Sequence, residues 1–160
     1  MSIINNKILT QQNINNPFIL VIGSSGSGKT NYINKMLNIP FNKAYVPSKF
    51  ITFNAIPDNN LIQIAELGGQ HRYSSQQIYQ IPSLIVIVVD ITSNLSIKDV
   101  YNYYLPNYIH LNINFLIILN KIDINESSWR KNEILLLNQK VIEYRETFNK
   151  NIEIKLNSSK

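Results

Sequence analysis

Residues Gly23 to Thr30 read Gly-Ser-Ser-Gly-Ser-Gly-Lys-Thr and fit the pattern G-x-x-x-x-G-K-[ST]. They follow the apolar run Phe18-Ile19-Leu20-Val21-Ile22 and precede a helix-compatible stretch from Asn31 to Leu37. A strand, a glycine-rich loop and a helix are therefore expected in succession. In that order the first N–H groups of the helix and the positive end of its dipole point into the loop, a setting that suits a phosphate chain. The glycines let backbone approach the ligand closely, Lys29 supplies a point charge, and the Thr30 hydroxyl can ligate magnesium. Ser25, Gly26, Ser27, Gly28, Lys29 and Thr30 are thus candidate phosphate-binding residues. The alternative is an exposed turn rich in Gly and Ser, but the four fixed positions should coincide by chance in well under about one chain in a hundred.

The rest of the chain limits what such a loop can belong to. With 160 residues and 44% hydrophobic content, one domain with a full-sized core is expected. The longest apolar runs, such as Leu84 to Val89, are too short to cross a bilayer. The first residues lack the charged, apolar and small-residue regions of a secretory signal. The absence of cysteine agrees with a reducing, cytoplasmic setting. The net charge of +5 is dispersed, with no Lys/Arg block and no aromatic interleaving, so no nucleic-acid partner is expected.

In chain order, residues 1–16 are polar and Asn-rich and read as a flexible lead-in, with the domain proper over 17–160. After the loop, a helix is expected from Thr30 to Leu37, ahead of Pro40, and an irregular stretch through Phe41, Tyr45 and Ser48. Phe50 to Ile56 and Leu61 to Glu66 flank Pro57-Asp58-Asn59-Asn60 and should pair as an antiparallel hairpin. Glu66-Leu67-Gly68-Gly69-Gln70 reads as a strand end followed by a hinge. Next come a polar helix from His71 to Gln80, a strand over Leu84 to Asp90, and a helix over Ser96 to Tyr104 stopped by Pro106. A strand from Ile113 to Leu119 closes in Asn120-Lys121-Ile122-Asp123. A long helix then runs to about Phe148 with Ile134, Leu135, Val141, Ile142 and Phe148 as its apolar stripe, before a last strand at Ile152, Ile154 and Leu156. Alternation of this kind predicts one open, mostly parallel sheet with helices on both faces. Ligands bind beyond the carboxyl ends of such strands, where the glycine loop, Glu66, Asp90, Asn120 to Asp123 and Ser158 to Lys160 would all lie.

Asp123, at a strand end, can accept two hydrogen bonds from the N1–H and 2-amino group of guanine, and adenine offers neither in that geometry. Lys121 can lay its aliphatic stem over a base, and Asn120 can tie this loop to the phosphate loop. Alone, Asn-Lys-Ile-Asp is also an ordinary polar turn.

Taken together, GSSGSGKT, FNKAYVPS, ELGGQ, NKID and SSK resemble, in order and near spacing, the small GTPases of the Ras superfamily over nearly the whole chain. Gln70-His71-Arg72-Tyr73 and Val89 to Ser93 look most like Rab proteins, whereas Gly68-Gly69-Gln70 looks like the Arf branch. The resemblance implies an α/β P-loop NTPase small G domain, three layers deep, with a mostly parallel six-stranded sheet containing one antiparallel strand. It implies GTP or GDP with Mg2+ as cofactors, slow GTP hydrolysis, and a trafficking or signalling switch. Thr30, Ser48 and Glu66 would hold the metal. Gly69 would donate its N–H to the γ-phosphate, Gln70 would orient water, and Lys29 would serve the reacting phosphates. Tyr45 would close over the phosphates. Phe41 would pack against the base, with a core aromatic as the alternative, and Ser158, Ser159 and Lys160 would complete the base site through the Ser159 N–H. Protein effectors, an exchange factor and an activating protein are the implied partners of an expected monomer.

Four departures from the family pattern stand out, three of them single positions. Glu66 stands where Asp is usual, Ser48 where Thr is usual, and Ser25 where Ras has glycine. The family's final helix follows SSK, whereas this sequence ends at Lys160. No prenylation or myristoylation pattern is present, so membrane recruitment is expected through a partner. The expected activity is a guanine-nucleotide switch with GTP hydrolase activity. Its rivals are a non-hydrolysing scaffold that keeps the fold and a P-loop nucleotide kinase.

Overall fold

In a computed structural model, residues 18–37, 52–56, 59–67 and 81–158 are described, with backbone alone for 52–56 and 59–63. Six strands form one sheet in the order β2-β3-β1-β4-β5-β6. They are β1 (Phe18–Ile22), β2 (Thr52–Ile56), β3 (Asn59–Glu66), β4 (Leu84–Asp90), β5 (Asn114–Asn120) and β6 (Ile152–Asn157). β2 runs antiparallel to β3, and every other pairing is parallel. This is the expected six-stranded sheet with one antiparallel strand. Asn59 and Asn60 lie in β3 rather than in the turn expected there.

The apolar runs explain the central strands. β1 and β4 are covered on both faces, so alternate side chains enter two different cores. Phe18, Leu20, Ile22, Ile85, Ile87 and Val89 join one core. Val21, Val86 and Val88 join the other, with Ile33 and Leu37 from α1 (Lys29–Met36) and its C-terminal flank. On the first face lie α2 (Asn94–Asp99), α3 (Leu105–Tyr108) and α4 (Lys131–Phe148). Three layers result.

Two expectations for this layer need correction. Pro106 does not stop the helix, because a π-helical turn at Val100–Tyr104 links α2 to α3, with Leu105 N–H bonding Val100 O. Proline cannot donate and crowds the carbonyl four residues back. Here it enters at the first turn of α3, just after the ladder has shifted to a wider register. The apolar stripe of α4 holds at Ile134 and Val141 but not at Leu135, Ile142 and Phe148. Leu137 and Val141 are fully buried, while Leu135, Ile142 and Phe148 are 61%, 47% and 44% exposed. The working seam is Ile134, Leu137, Val141 and Tyr144, spaced by three and four residues; Leu135 and Ile142 each lie about 100° around the helix from a seam residue.

Candidate functional site

Parallel pairing brings the carboxyl ends of five strands to one edge. Asp90, Asn120 and Asn157 pair in register across β4, β5 and β6, so three strands exchange apolar side chains for polar ones at the same level. The glycine loop leaves β1 beside them and enters α1.

Gly28 caps α1 in the left-handed conformation, with φ of 95°. A Cβ there would collide with the Asn120 amide, so both the turn and the close approach require glycine. The Asn120 side chain is wholly buried. It donates to Ser27 O at 3.0 Å and accepts from Asn157 Nδ2 at 2.9 Å. One amide thus joins the glycine loop, the end of β5 and the end of β6. Beside it Lys121 adopts φ of 70°. Its amine donates to Gly26 O at 2.7 Å and pairs with the Asp90 carboxylate at 2.7 Å. Asp90 in turn accepts from the Thr92 hydroxyl at 2.6 Å. The lysine stem therefore spans from β5 to the loop. Asp123 lies exposed on the turn that follows.

Lys29 is the loop's buried cation, 5% exposed. Its amine donates to Gly23 O at 3.0 Å and Ser24 O at 2.9 Å. Burial lowers its pKa from the usual 10.5 to about 8, partly offset by the attraction of Glu66. The Thr30 hydroxyl donates to Glu66 Oε1 at 2.6 Å. These hard oxygen donors, one from the helix start and one from the end of β3, suit magnesium, which binds few protein ligands and shares the rest with phosphate and water. Among the described residues no cluster of three or more His, Cys, Asp or Glu side chains offers another metal site.

Gly26, Ser27, Gly28, Lys29, Thr30, Glu66, Asn120 and Lys121 thus meet at one edge, with Ser25, Asp123 and Ser158 on the adjoining loops. Phe41, Tyr45, Ser48, Gly69, Gln70, Ser159 and Lys160 lie outside the described residues, as do the lead-in over 1–16 and the helix expected over His71 to Gln80. Sequence reading missed the partners: Asp90 for Lys121, Asn157 for Asn120, and Asp99, which accepts from Ser24 Oγ at 3.1 Å. One signal for Asp99 was available, its place three residues after Ser96 in a helix expected to follow β4.

A mostly parallel sheet whose first strand delivers a phosphate loop into a helix N-terminus, opposite an Asn-Lys-x-Asp turn, defines a P-loop nucleotide-binding domain. The chain belongs to the Ras family, whose profile matches residues 18–157. It is 31% identical to the "Probable Rab-related GTPase" of Acanthamoeba polyphaga mimivirus, covering 80% of this chain and 65% of that one. It is 30% identical to "Ras-related protein RABG3e" of Arabidopsis thaliana, covering 70% and 61%. With "Ypt/Rab-type GTPase YPT7" of Saccharomyces cerevisiae it shares 27% identity, covering 68% and 59%. The chain therefore spans less than two thirds of these relatives' lengths and is Rab-like among Ras-superfamily proteins.

Proposed function

We propose that this chain is a guanine-nucleotide switch that binds GTP and GDP with magnesium, hydrolyses GTP slowly, and acts in trafficking or signalling. The observation that carries this reading is the Asn120 amide, which fastens the Asn-Lys-Ile-Asp turn to the phosphate loop through Ser27 O. A base-reading turn fixed to a phosphate cradle measures one nucleotide end to end. Asp123 accepts from the guanine N1–H and 2-amino group, the stem of Lys121 lies along the base, and Ser158, Ser159 and Lys160 close its edge. Phe41 packs edge-on against the base.

At the phosphate end, the amides of Ser25 to Thr30 receive the phosphate oxygens. The Lys29 amine moves from the Gly23 and Ser24 carbonyls to those oxygens. Thr30, Glu66 and Ser48 hold the magnesium ion, which when bound neutralises charge on the phosphates. Gln70 orients the attacking water, Tyr45 closes over the phosphates and Gly69 donates to the γ-phosphate. Loss of that phosphate releases the segments around Ser48 and Gly69, which is how such a chain presents different surfaces to effectors, exchange factors and activating proteins. Among the described residues no helix is long and apolar enough to cross a membrane, and recruitment to membranes would come through a partner.

The test is phosphate release from GTP with magnesium, measured for the wild type and for Gln70→Leu. Slow release that falls further in the variant supports the switch. Tight guanine binding with equal, background release in both would favour the non-hydrolysing scaffold. Preference for ATP, with phosphate passed to an acceptor, would favour the kinase.

A further inference from the structure

Asp99 has no place in the roles assigned above, yet it is a carboxylate only 4% exposed, on a helix that ends beside the phosphate loop. Its Oδ2 accepts from the Ser24 hydroxyl at 3.1 Å, across 75 residues of sequence. Ser24 in turn offers its backbone carbonyl to the Lys29 amine at 2.9 Å. Asp99 is therefore tied directly to residue 24 of the loop, whose carbonyl is one of the two that the Lys29 amine leaves when it turns to phosphate.

The mount for Asp99 is rigid. Ser93 caps α2 by accepting from Ser96 N–H, and the Ser96 hydroxyl accepts from Asp90 N–H at 2.9 Å, so the helix start hangs from the end of β4. Immediately after Asp99 the chain widens into the π-helical turn. With the ladder widened over Val100–Tyr104, Asp99 meets the loop while Val100, Tyr104, Leu105 and Ile109 are buried in the core, and such π-helical turns recur at functional sites. Burying a carboxylate is costly unless it is hydrogen-bonded, so a bond to a loop hydroxyl is more than surface decoration.

We infer that Asp99 is a positioning residue that acts through the Ser24 hydroxyl to hold the phosphate loop in its ligand-ready shape. This rests on the proposed nucleotide binding. The probe is release of a fluorescent GDP analogue in magnesium, chased with excess GDP. Asp99→Ala and Ser24→Ala should each speed release about tenfold, the equivalent of most of one hydrogen bond to a charged group. The double variant should also release about tenfold faster, not about a hundredfold, because both substitutions break one connection. Asp99→Asn keeps an acceptor for the Ser24 hydroxyl and should return release to within about threefold of the wild type. Additive effects, unchanged release in Ser24→Ala, or failure of Asp99→Asn to rescue a folded protein would overturn the inference while leaving nucleotide binding intact. A wild type that retains no guanine nucleotide would instead refute the functional reading, and this inference with it.

Discussion

Replacing Asn120 by alanine should damage the domain even with no nucleotide present. The amide is wholly buried and holds two partners, Ser27 O and Asn157 Nδ2. Each hydrogen bond contributes about 0.5–1.5 kcal/mol net, and a buried group left unpaired costs about 1–3 kcal/mol. Asn157 Nδ2 keeps a second partner in Ser158 O, so the penalty falls mainly on Ser27 O. The sum is roughly 2–6 kcal/mol, which for a domain of this size lowers Tm by at least about 4 °C. Asn120→Asp sharpens the test. It can still accept from Asn157, but it turns an acceptor toward the Ser27 carbonyl, so its Tm should fall at least as far. Thermal unfolding by circular dichroism of the nucleotide-free proteins reads both. An alanine variant within about 2 °C of the wild type would refute the claim that this amide fastens the two loops.

The buried Lys29 makes stability depend on pH. Its folded pKa, about 8 against 10.5 when exposed, means that the unfolded chain binds more protons between these values, so stability rises with pH across that window. The gain approaches roughly 3 kcal/mol by the upper end, and the difference between wild type and Lys29→Met in urea unfolding at pH 7.5 and 10 isolates it. Ser27 is wholly buried, and among the described residues its hydroxyl has no hydrogen-bond partner. Ser27→Ala should therefore raise stability by about 1 kcal/mol, or Tm by about 2–4 °C, and a fall in Tm would show that the hydroxyl is satisfied. If Asp123 reads guanine as proposed, Asp123→Asn replaces an acceptor for the guanine donors by an amide that donates to a carbonyl. GDP affinity should drop by about a hundredfold or more while xanthosine diphosphate gains, as equilibrium titration of both nucleotides can measure.

Sequence was a good guide wherever the physics is local. The run Phe18 to Ile22, the glycines and Lys29 mark strand, loop and helix within a dozen residues, and the all-apolar β4 announces a strand covered on both faces. It was a poorer guide where a single residue decides phase. The inserted residue of the π-helical turn carried the helix through Pro106, and a 100° difference separated the true seam at Leu137 from Leu135. Partners distant in sequence were least legible. The order of strand ends puts Asp90 and Lys121 at one edge without showing that they pair, and nothing near Ser24 points to Asp99, which reaches the loop from a helix 75 residues on. Glu66 is intermediate, since the pattern marks its position but the folded chain shows its carboxylate on the Thr30 hydroxyl.

The central claim is that one rigid edge of the sheet reads a guanine nucleotide from base to phosphate. Equilibrium titration with GDP and ADP in the presence of magnesium tests it most directly. Binding of GDP at least about a hundredfold tighter than ADP is expected, because adenine lacks the two donors that guanine offers the Asp123 carboxylate. Equal affinities for the two nucleotides would contradict it.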